Sequence, residues 1–439
     1  MINKLQNKKI CLLGFGIENK ALIEFLIEKK IDCKITICDA RKNIVKKYKN
    51  IKYCLDKNYY QNLTDFDIIF RIAGCPLFLS EIKKAKKAGI KISSPTKLFF
   101  ELCPTKNIIG VAGTKGKGTT SALIYKIIKA SGKRVFFGGN IGIPMFSFFQ
   151  KIKKNDWVVL ELSSFQLEDL TQSPKIAVIT NFSKEHLAPA DPNNPNYHKT
   201  LKSYWEAKIN IIKYQNKKNY AILNNKFKIT NSKKTTNSKL QIPKTESKII
   251  YFNKSKLPSR LIGEHNKENI AAAVEVAKII KIKKNIIEKA VANFKGLEHR
   301  LEFVKIIKGI KYYNDSFATT PEAAITALKS FNNSIILLAG GSDKGSDFKK
   351  LAKEIKKKVK FIVLFKGEAT KRLKNEILKT RFLKNRILQV NDMKKAVKIA
   401  QNNSEKDDII LLSPACASFG IFKNYKERGE LFKKYIKIL

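Results

Sequence analysis

A glycine-rich stretch, GVAGTKGKGTTSAL at 110–123, constrains the possible folds more than any other part of the sequence. The apolar run KNIIGVAGT before it predicts a buried strand. The run TTSALIYKIIKASGK after it has helical spacing, which puts Leu123, Ile127 and Ile128 on one face. A strand, a glycine-rich turn and a helix in this order are typical of a phosphate-binding loop, in which backbone N–H groups and a lysine hold the phosphates. This stretch therefore predicts an α/β domain with a nucleotide site.

The loop departs from the strict pattern G-x-x-x-x-G-K-[ST] at two positions. Val111 stands where the first glycine is expected, and Gly118 stands where a hydroxyl residue normally binds Mg²⁺. If the loop is built differently, the hydroxyl can come from Thr119 or Thr120. A tight turn rich in glycine, without a nucleotide, is the alternative interpretation.

The chain has 439 residues, 44% of them hydrophobic, which is enough to bury the cores of two or three domains. Its formal net charge of +50 comes from 87 lysines and arginines against 37 acidic residues. A nucleic-acid site concentrates such charge on one face with aromatic residues, whereas these lysines are spread evenly along the chain. We interpret the charge as a bias of composition and expect no nucleic-acid partner. A basic nucleic-acid-binding protein is the alternative from a different class.

The seven cysteines are scattered and form no C-x-x-C pair, a pattern typical of a reducing compartment. Several lie in apolar runs, where a thiol packs as a small hydrophobic group, and none is expected to bind a metal. The sequence has no run of 18 apolar residues and enters a strand directly, so we expect neither a membrane span nor a signal peptide. We expect a cytoplasmic protein and a monomer.

The first hundred residues alternate strand-like and helical runs, which predicts a parallel sheet. The turn GFGIEN resembles the dinucleotide turn G-x-G-x-x-G with Asn19 at the third glycine. Asp39 follows about 20 residues later, where an acid can meet a ribose or base. A nucleotide site and a plain strand–helix turn both fit this pattern. A second α/β block begins after Pro104, and the polar segment 224–247 predicts a surface excursion. A third block starts near His299, with strands predicted in NSIILLAGGSDKG, VKFIVLFKG and DDIILLSPACAS.

Polar residues follow several predicted strands at their carboxyl ends, where ligands bind in open parallel sheets. Glu161 ends the strand DWVVLEL beside the predicted phosphate loop, a suitable place for a carboxylate ligand of Mg²⁺. Glu185 and His186 follow the next strand. Lys208 lies in an amphipathic helix, where an ordinary solvated lysine is the alternative interpretation. The residues alone predict an enzyme that transfers phosphate from a Mg²⁺-bound nucleotide.

The sequence resembles the Mur ligases over essentially its whole length. The motifs that carry this resemblance, in order, are GTKGKGTT, GGNIG, ELSSFQLE, KINIIKY, GEHNKENIAAA, GLEHRLEFV, NDSFATTPEAA, GGSDKG and SPACASFGIFKNYKERG. ELSSFQLE and SPACAS resemble the members that add glutamate. The resemblance implies an α/β protein of three domains, each with a mainly parallel sheet flanked by helices: Rossmann-like, P-loop ATPase-like and Rossmann-like. The implied domains are 1–103 for the UDP-sugar, 104–298 for ATP and 299–439 for glutamate.

The resemblance also implies a reaction. ATP would phosphorylate the carboxylate of UDP-N-acetylmuramoyl-L-alanine, and the amino group of glutamate would attack the acyl phosphate to form an amide for peptidoglycan synthesis. ATP and two Mg²⁺ ions are the implied cofactors. D-glutamate is the expected acceptor. A ligase that uses L-glutamate and a ligase like folylpolyglutamate synthase are the alternatives, and the latter is expected to lack ELSSFQLE and SPACAS.

Matching positions imply roles for individual residues. The implied catalytic residues are Lys117, His186 and Lys208, the last as a carbamate. The implied metal ligands are Thr119, Glu161, His186 and Lys208. The implied ATP site comprises Gly113, Thr114, Lys115, Gly116, Lys117, Gly118, Thr119, Thr120, Asn266, Asn269, Arg300 and Asp315. The implied substrate residues are Asp39 and Arg41 at the uracil end, Asn140, Ser163 and Gln166 near the muramoyl-alanine, and Thr319, Lys344, Ser418 and Tyr425 for glutamate.

The chain departs from the Mur ligase pattern at several of these places. The turn SPG in the first domain is AGC at 73–75, and Lys184-Glu185 replaces an acid pair, with LAPAD following the histidine. Phe317 replaces a lysine in NDSFAT, and Gly420 replaces an aspartate after SPACAS. The last two border the implied amino-acid pocket, so they bear on which epimer of glutamate is used.

Overall fold

The computed structural model describes residues 2–57, 59–140, 142–189, 196–229, 242–342 and 345–439. These residues form three sheets in two compact units. The first unit comprises residues 1–256 and 268–290 and holds two sheets, and the second comprises 257–267 and 291–439 and holds one. The boundaries of three domains at 103/104 and 298/299 remain predictions.

The first sheet has five parallel strands in the order β3-β2-β1-β4-β5. Its elements are β1 (Lys9–Leu13), α1 (Ile17–Glu28), β2 (Lys34–Asp39), β3 (Lys52–Leu55), β4 (Ile68–Arg71), α2 (Ser80–Lys87), β5 (Lys91–Ser93) and α3 (Pro95–Leu102). Ile10 and Leu12 of β1 pack into one core, and Cys11 and Leu13 pack into the core on the other face. Both faces are therefore buried, as a parallel sheet between helices requires. Cys11 is a buried apolar-packing thiol, as predicted.

The second sheet has six parallel strands in the order β11-β10-β9-β6-β8-β7. Its elements are β6 (Ile108–Ala112), α4 (Lys117–Ala130), β7 (Val135–Gly139), β8 (Trp157–Glu161), α5 (Ser164–Leu167), β9 (Ile176–Ile179), α6 (Leu201–Lys213), β10 (Tyr220–Asn224), α7 (Lys226–Ile229), β11 (Lys248–Phe252), α8 (Glu264–Ile279) and α9 (Lys284–Asn293). The predicted face of α4 is confirmed, because Leu123, Ile127 and Ile128 are buried. Residues 230–241, half of the predicted excursion at 224–247, lie outside the described residues.

The third sheet has six strands in the order β12-β13-β17-β14-β15-β16. Its elements are β12 (Glu302–Ile307), β13 (Ile310–Asn314), α10 (Pro321–Lys329), β14 (Ile335–Ala339), α11 (Lys349–Lys358), β15 (Val359–Phe365), α12 (Glu368–Lys379), β16 (Ile387–Val390), α13 (Met393–Asn402), β17 (Ile409–Leu412) and α14 (Tyr425–Lys437). Among the described strands of this sheet, only β12 runs antiparallel to its neighbour. The sheets are thus mainly parallel and flanked by helices, which confirms the predicted fold class.

No helix among the described residues is both long and apolar enough to span a membrane.

Candidate functional site

The phosphate loop joins β6 to α4, and its glycines are required by both conformation and space. Gly113 has φ of 142° and Gly116 has φ of 84°, values that residues with side chains rarely adopt. A Cβ on Gly113 would lie 1.9 Å from Oγ1 of Thr180, and a Cβ on Gly116 would lie 2.3 Å from Oδ1 of Asn269. The loop backbone is therefore packed closely against the end of β9 and against α8.

Side chains after β9 hold this loop by hydrogen bonds. The carbonyl of Lys115 accepts from Oγ1 of Thr180 at 2.6 Å and from Nδ2 of Asn181 at 2.9 Å. Oδ1 of Asn181 accepts from the amide of Lys115 at 2.9 Å. The hydroxyl of Thr114 lies 3.2 Å from that of Tyr204 on α6. These bonds fix the loop before any ligand binds, which lowers the cost of ordering it around phosphate.

Two lysine side chains converge on one carbonyl of the loop. Nζ of Lys117 donates to the carbonyls of Gly113 at 3.0 Å and Thr114 at 3.1 Å. Nζ of Lys208 donates to the same carbonyl of Gly113 at 2.8 Å. Lys117 and Lys208, the two lysines to which the resemblance assigns catalytic roles, are thereby brought together.

Lys208 is 1% exposed, so its alternative interpretation as a solvated helix residue is wrong. It lies on α6, whose first turn is fixed by a capping box between Thr200 and Ser203, and its Nζ is 4.4 Å from the ring centre of Tyr204. Burial lowers the pKa of Lys208 well below its usual value, and the nearby charge of Lys117 lowers it further. The neutral amine, which is the nucleophilic form, is therefore more populated than in a solvated lysine.

Thr119 and Thr120 follow the lysine on α4 and differ in their surroundings. Oγ1 of Thr120 donates to Oδ1 of Asn269 at 3.3 Å. The hydroxyl of Thr119 makes no hydrogen bond within the described part of the chain. Thr119 thus retains an oxygen that a metal ion can use.

Glu161 ends β8, directly beside Val111 of the central strand β6. Its side chain is buried, and its Oε1 accepts from Nδ2 of Asn140 at 2.9 Å. Asn140 also donates its amide to the carbonyl of Glu161 at 2.8 Å. The structure therefore brings Asn140 and Glu161 together at the strand end that the sequence indicated.

His186 lies in the loop after β9 with φ of 57° and with its ring against Phe165 and Tyr204. Burial lowers the pKa of His186, and the charges of Lys208 and Lys117 also lower it, while Glu185 raises it. Nε2 of His186 is 3.9 Å from a carboxylate oxygen of Glu185. A neutral imidazole in this position offers a nitrogen to a metal ion.

The residues implied at the uracil end form one tight group. Nε and one terminal nitrogen of Arg41 donate to the two oxygens of Asp39 at 2.8 and 2.9 Å. The amide of Phe15 donates to Oδ2 of Asp39 at 2.6 Å. Burial alone would raise the pKa of Asp39, but these hydrogen bonds outweigh it and the pKa is lowered. The carboxylate is thus charged and fixed after β2.

Ser163 and Gln166 begin α5 as a capping box, in which each side chain accepts from the other residue's amide. Nε2 of Gln166 donates to Oε1 of Glu18 on α1 at 2.7 Å. This bond connects residues 148 positions apart and joins the elements of the first and second sheets.

Asp315 and Arg300 lie together in the second unit. Asp315 follows β13 and accepts from the Ser413 hydroxyl at 2.9 Å and from the Leu301 amide at 3.1 Å. Burial raises the pKa of Asp315 to about 7, although these hydrogen bonds and the charge of Arg300 oppose the rise. Asn266, at the start of α8, donates from Nδ2 to the Ile262 carbonyl at 2.7 Å.

The loops after β13 and β17 carry the residues implied for glutamate. The amide of Ala415 donates to the carbonyl of Ala318, next to Thr319. Ser418 is buried, and the ring of Tyr425 meets that of Phe317 edge-on at 4.9 Å. The Phe317 ring also lies 3.9 Å under the guanidinium of Arg300. Lys344 lies outside the described residues.

Comparison with known proteins decides the family. Residues 111–277 match the model of the Mur ligase middle domain, and residues 299–416 match that of the Mur ligase glutamate ligase domain. The UDP-N-acetylmuramoylalanine–D-glutamate ligases of Acetivibrio thermocellus and Clostridium tetani are each 37% identical to the chain. Each alignment covers 99% of this chain, with 97% and 98% of the respective relatives. The chain belongs to the Mur ligase family.

Solved Mur ligases share the fold. UDP-N-acetylmuramate-alanine ligase MurC from Thermotoga maritima gives a TM-score of 0.58 at 17% identity, over 98% of this chain and 100% of that one. MurF ligase from the same organism, solved with ADP, gives 0.58 at 16% identity, over 100% and 97%. Mur ligases are ATP-dependent amide ligases, and this chain is an enzyme of that class.

Two buried residues near Phe165, to which sequence analysis assigned no role, lie close to the candidate site. His198 is buried, its ring stacks on Phe165 at 4.7 Å, and its Nε2 lies 2.9 Å from the hydroxyl of Ser164. Burial lowers the pKa of His198 to about 4. Arg71 is also buried and bonds to the Phe165 carbonyl and to Asp169, which lie almost a hundred residues away. Only their chemical type, a histidine and an arginine near polar strand ends, could have drawn attention to them.

Proposed function

We propose that this protein joins D-glutamate to UDP-N-acetylmuramoyl-L-alanine, using ATP and releasing ADP and phosphate. The observation that carries the proposal is the 37% identity, over 99% of the chain, to enzymes named for that reaction. ATP and UDP-linked substrates are cytoplasmic metabolites, and we propose that the enzyme acts there.

The chemistry requires a leaving group on the substrate carboxylate. A free carboxylate is a poor electrophile, so its oxygen first attacks the γ-phosphorus of ATP and ADP leaves. The glutamate amine then attacks the acyl carbon, the C–O bond to phosphate breaks, and the amine loses a proton. Lys117 supports both steps, because its ammonium can leave the carbonyls of Gly113 and Thr114 and bind phosphate oxygens.

The residues around the loop fit Mg²⁺, which prefers oxygen ligands. Thr119 offers a hydroxyl without a hydrogen bond in the described part of the chain, and Glu161 offers a buried carboxylate. We assign these two to a first ion, and His186 with a modified Lys208 to a second. Bound Mg²⁺ would neutralise charge on the phosphoryl oxygens.

Lys208 suits carbamylation. Its lowered pKa increases the share of the neutral amine, which can add to CO₂ and release one proton to give an anionic carbamate. The product carries two oxygens beside the positive charge of Lys117 and the imidazole of His186. A side chain that offered one nitrogen thereby becomes an anionic oxygen ligand, the kind that Mg²⁺ prefers.

We assign the remaining residues by resemblance to the family. Gly113, Thr114, Lys115, Gly116, Gly118, Thr120, Asn266, Asn269, Arg300 and Asp315 would bind ATP. Asp39 and Arg41 would meet the uracil, and Asn140, Ser163 and Gln166 the muramoyl-alanine. Thr319, Lys344, Ser418 and Tyr425 would bind glutamate.

Phosphate release with UDP-N-acetylmuramoyl-L-alanine, ATP and a panel of amino acids tests the proposal. We expect turnover with D-glutamate, and at least about 25-fold lower kcat/KM with L-glutamate, because the wrong epimer leaves a carboxylate poorly paired. A preference for L-glutamate would overturn the assigned epimer. Phe317 and Gly420 would then be the first residues to examine, because they depart from the family pattern at the border of the implied amino-acid pocket. Turnover with a folate in place of the UDP-sugar would overturn the acceptor class.

A further inference from the structure

A buried arginine in the second unit forms no ion pair with a carboxylate of the described residues. Arg428 lies on the first turn of α14, is 0% exposed, and makes no ion pair with any residue that the structure describes. Burial lowers the pKa of Arg428 to about 10, so the guanidinium stays charged at neutral pH. The groups that hydrogen-bond to it are neutral, so burying its charge costs stability that burying an apolar side chain of similar size would not.

The guanidinium of Arg428 binds two separate loops. Its terminal nitrogens donate to the carbonyl of Ser316 at 2.8 Å and to that of Cys416 at 3.3 Å. Its Nε donates to the hydroxyl of Ser316 at 3.0 Å. Because the guanidinium group is planar and rigid, these three hydrogen bonds fix both the separation and the relative orientation of the two loops.

Ser316 connects the guanidinium of Arg428 to the start of α14. It is fully buried, and its hydroxyl donates to the carbonyl of Tyr425 at 2.7 Å while accepting from Arg428. Its amide donates to Oδ1 of Asn314 at 3.1 Å. Every polar atom of Ser316 is therefore used to join the end of β13, the loop after β17 and the start of α14.

These three segments carry all the described residues that we assign to glutamate. Thr319 lies three residues after Ser316, Ser418 lies two residues after Cys416, and Tyr425 is bonded to Ser316 directly. We propose that Arg428 and Ser316, here called the Arg428 clamp, position the amino-acid site. Both are positioning residues, because their burial keeps them from touching a ligand. The inference rests on the proposed function.

We expect the clamp to affect the binding of glutamate but not the binding of ATP or of UDP-N-acetylmuramoyl-L-alanine. Asp315, assigned to ATP, is adjacent to Ser316, but its hydrogen bonds come from Ser413 and the amide of Leu301. The charge of Arg428 lowers the pKa of Asp315, and that charge is kept in both Ser316→Ala and Arg428→Lys. Weakening the clamp therefore changes the relative positions of Thr319, Ser418 and Tyr425, while the Asp315 carboxylate keeps its own hydrogen bonds.

The test compares Ser316→Ala and Arg428→Lys with the wild type in steady-state phosphate release. We expect KM for glutamate to rise about tenfold in Ser316→Ala, the loss of one or two hydrogen bonds. KM for ATP and for UDP-N-acetylmuramoyl-L-alanine should stay within about twofold. Arg428→Lys should give at least the same rise, because lysine keeps the charge but loses the planar fork. Ser93→Ala is the matched control, since Ser93 is a buried serine whose hydroxyl has no partner in the described structure, and its KM values should not change.

Each other result has a definite meaning. A purely structural role would lower kcat through loss of folded enzyme and leave every KM unchanged, which would overturn the clamp. Unfolding midpoints show which variants are folded, and if Arg428→Lys is not, Ser316→Ala decides. A wild type that turns over no amino acid would refute the proposed function, and the clamp with it. A wild type that is active beside an unchanged Ser316→Ala variant would refute the clamp alone.

Discussion

At the scale of single residues, two adjacent threonines on α4 have different surroundings. We expect Thr119→Ala to lower kcat at least about tenfold and to raise the Mg²⁺ concentration needed for half-maximal activity, because we propose its hydroxyl as a metal ligand. Thr120→Ala removes a hydrogen bond to Asn269, so it should lower the free energy of unfolding by about 1 kcal/mol. We expect it to reduce activity less than Thr119→Ala does. Mg²⁺ titrations and urea unfolding of both variants check this. The reverse order of activity loss would move the ligand to Thr120.

Lys208 gives the second prediction at this scale. Lys208→Ala should be nearly inactive. Millimolar formate or acetate should partly restore turnover, because their carboxylate oxygens can replace the oxygens of the proposed carbamate. Lys213→Ala, on an exposed position of the same helix, is the control and should behave as the wild type. Carbon-13 NMR after exposure to labelled CO₂ should show a carbamate signal in the wild type only. Absence of both the rescue and the signal would make Lys208 an ordinary buried amine.

The same residue shows what the sequence could and could not predict about the site. The family motif supplied Lys208 as a candidate, and residue spacing supplied its helix. Its burial depends on Tyr204, on the Gly113 carbonyl and on Lys117, and the two P-loop residues are more than 90 positions away in the chain. Depressed pKa values arise from such long-range contacts, which a local pattern does not encode.

At the scale of elements, the end of β13 holds an acid whose pKa burial raises to about 7, from 3.8. The folded state favours the protonated form of Asp315. The contribution of this raised pKa to the free energy of unfolding is therefore complete below about pH 4 and is lost as the pH rises through 7. Wild-type enzyme should therefore lose more than about 1 kcal/mol of unfolding free energy, relative to Asp315→Asn, between pH 5 and pH 8. Urea unfolding of both proteins without ATP measures this, and a pH-independent difference would show that Asp315 is not buried as a neutral acid.

Elements with fully apolar strands were predicted well, and edge elements were not. NSIILLAGG, VKFIVLFKG and DDIILLSPACAS became β14, β15 and β17, because four or more consecutive apolar residues indicate a strand buried on both faces. β3 and β5 are short edge strands that begin with lysine and are only partly buried. Their order comes from pairing with β2 and β4, which no local pattern contains.

At the scale of the whole molecule, a net charge of +50 acts on substrates that are all anions. A field of this sign raises the local concentration of ATP, the UDP-sugar and glutamate without binding any of them specifically. Raising KCl from about 20 mM to about 300 mM shortens the screening length from roughly 20 Å to roughly 6 Å. We therefore expect kcat/KM for the UDP-sugar to fall at least about threefold, while kcat at saturation changes little.

The salt dependence separates a diffuse field from a nucleic-acid site. Phosphate release over this range of KCl, with and without added double-stranded DNA, distinguishes the two. Evenly spread lysines predict that DNA binds weakly, with a steep loss on adding salt, and does not alter turnover at about 150 mM KCl. A localised basic patch would instead bind DNA with submicromolar affinity at that salt concentration. If kcat/KM proved independent of KCl, the charge would have no part in substrate capture, and the lysines would then be a feature of composition alone.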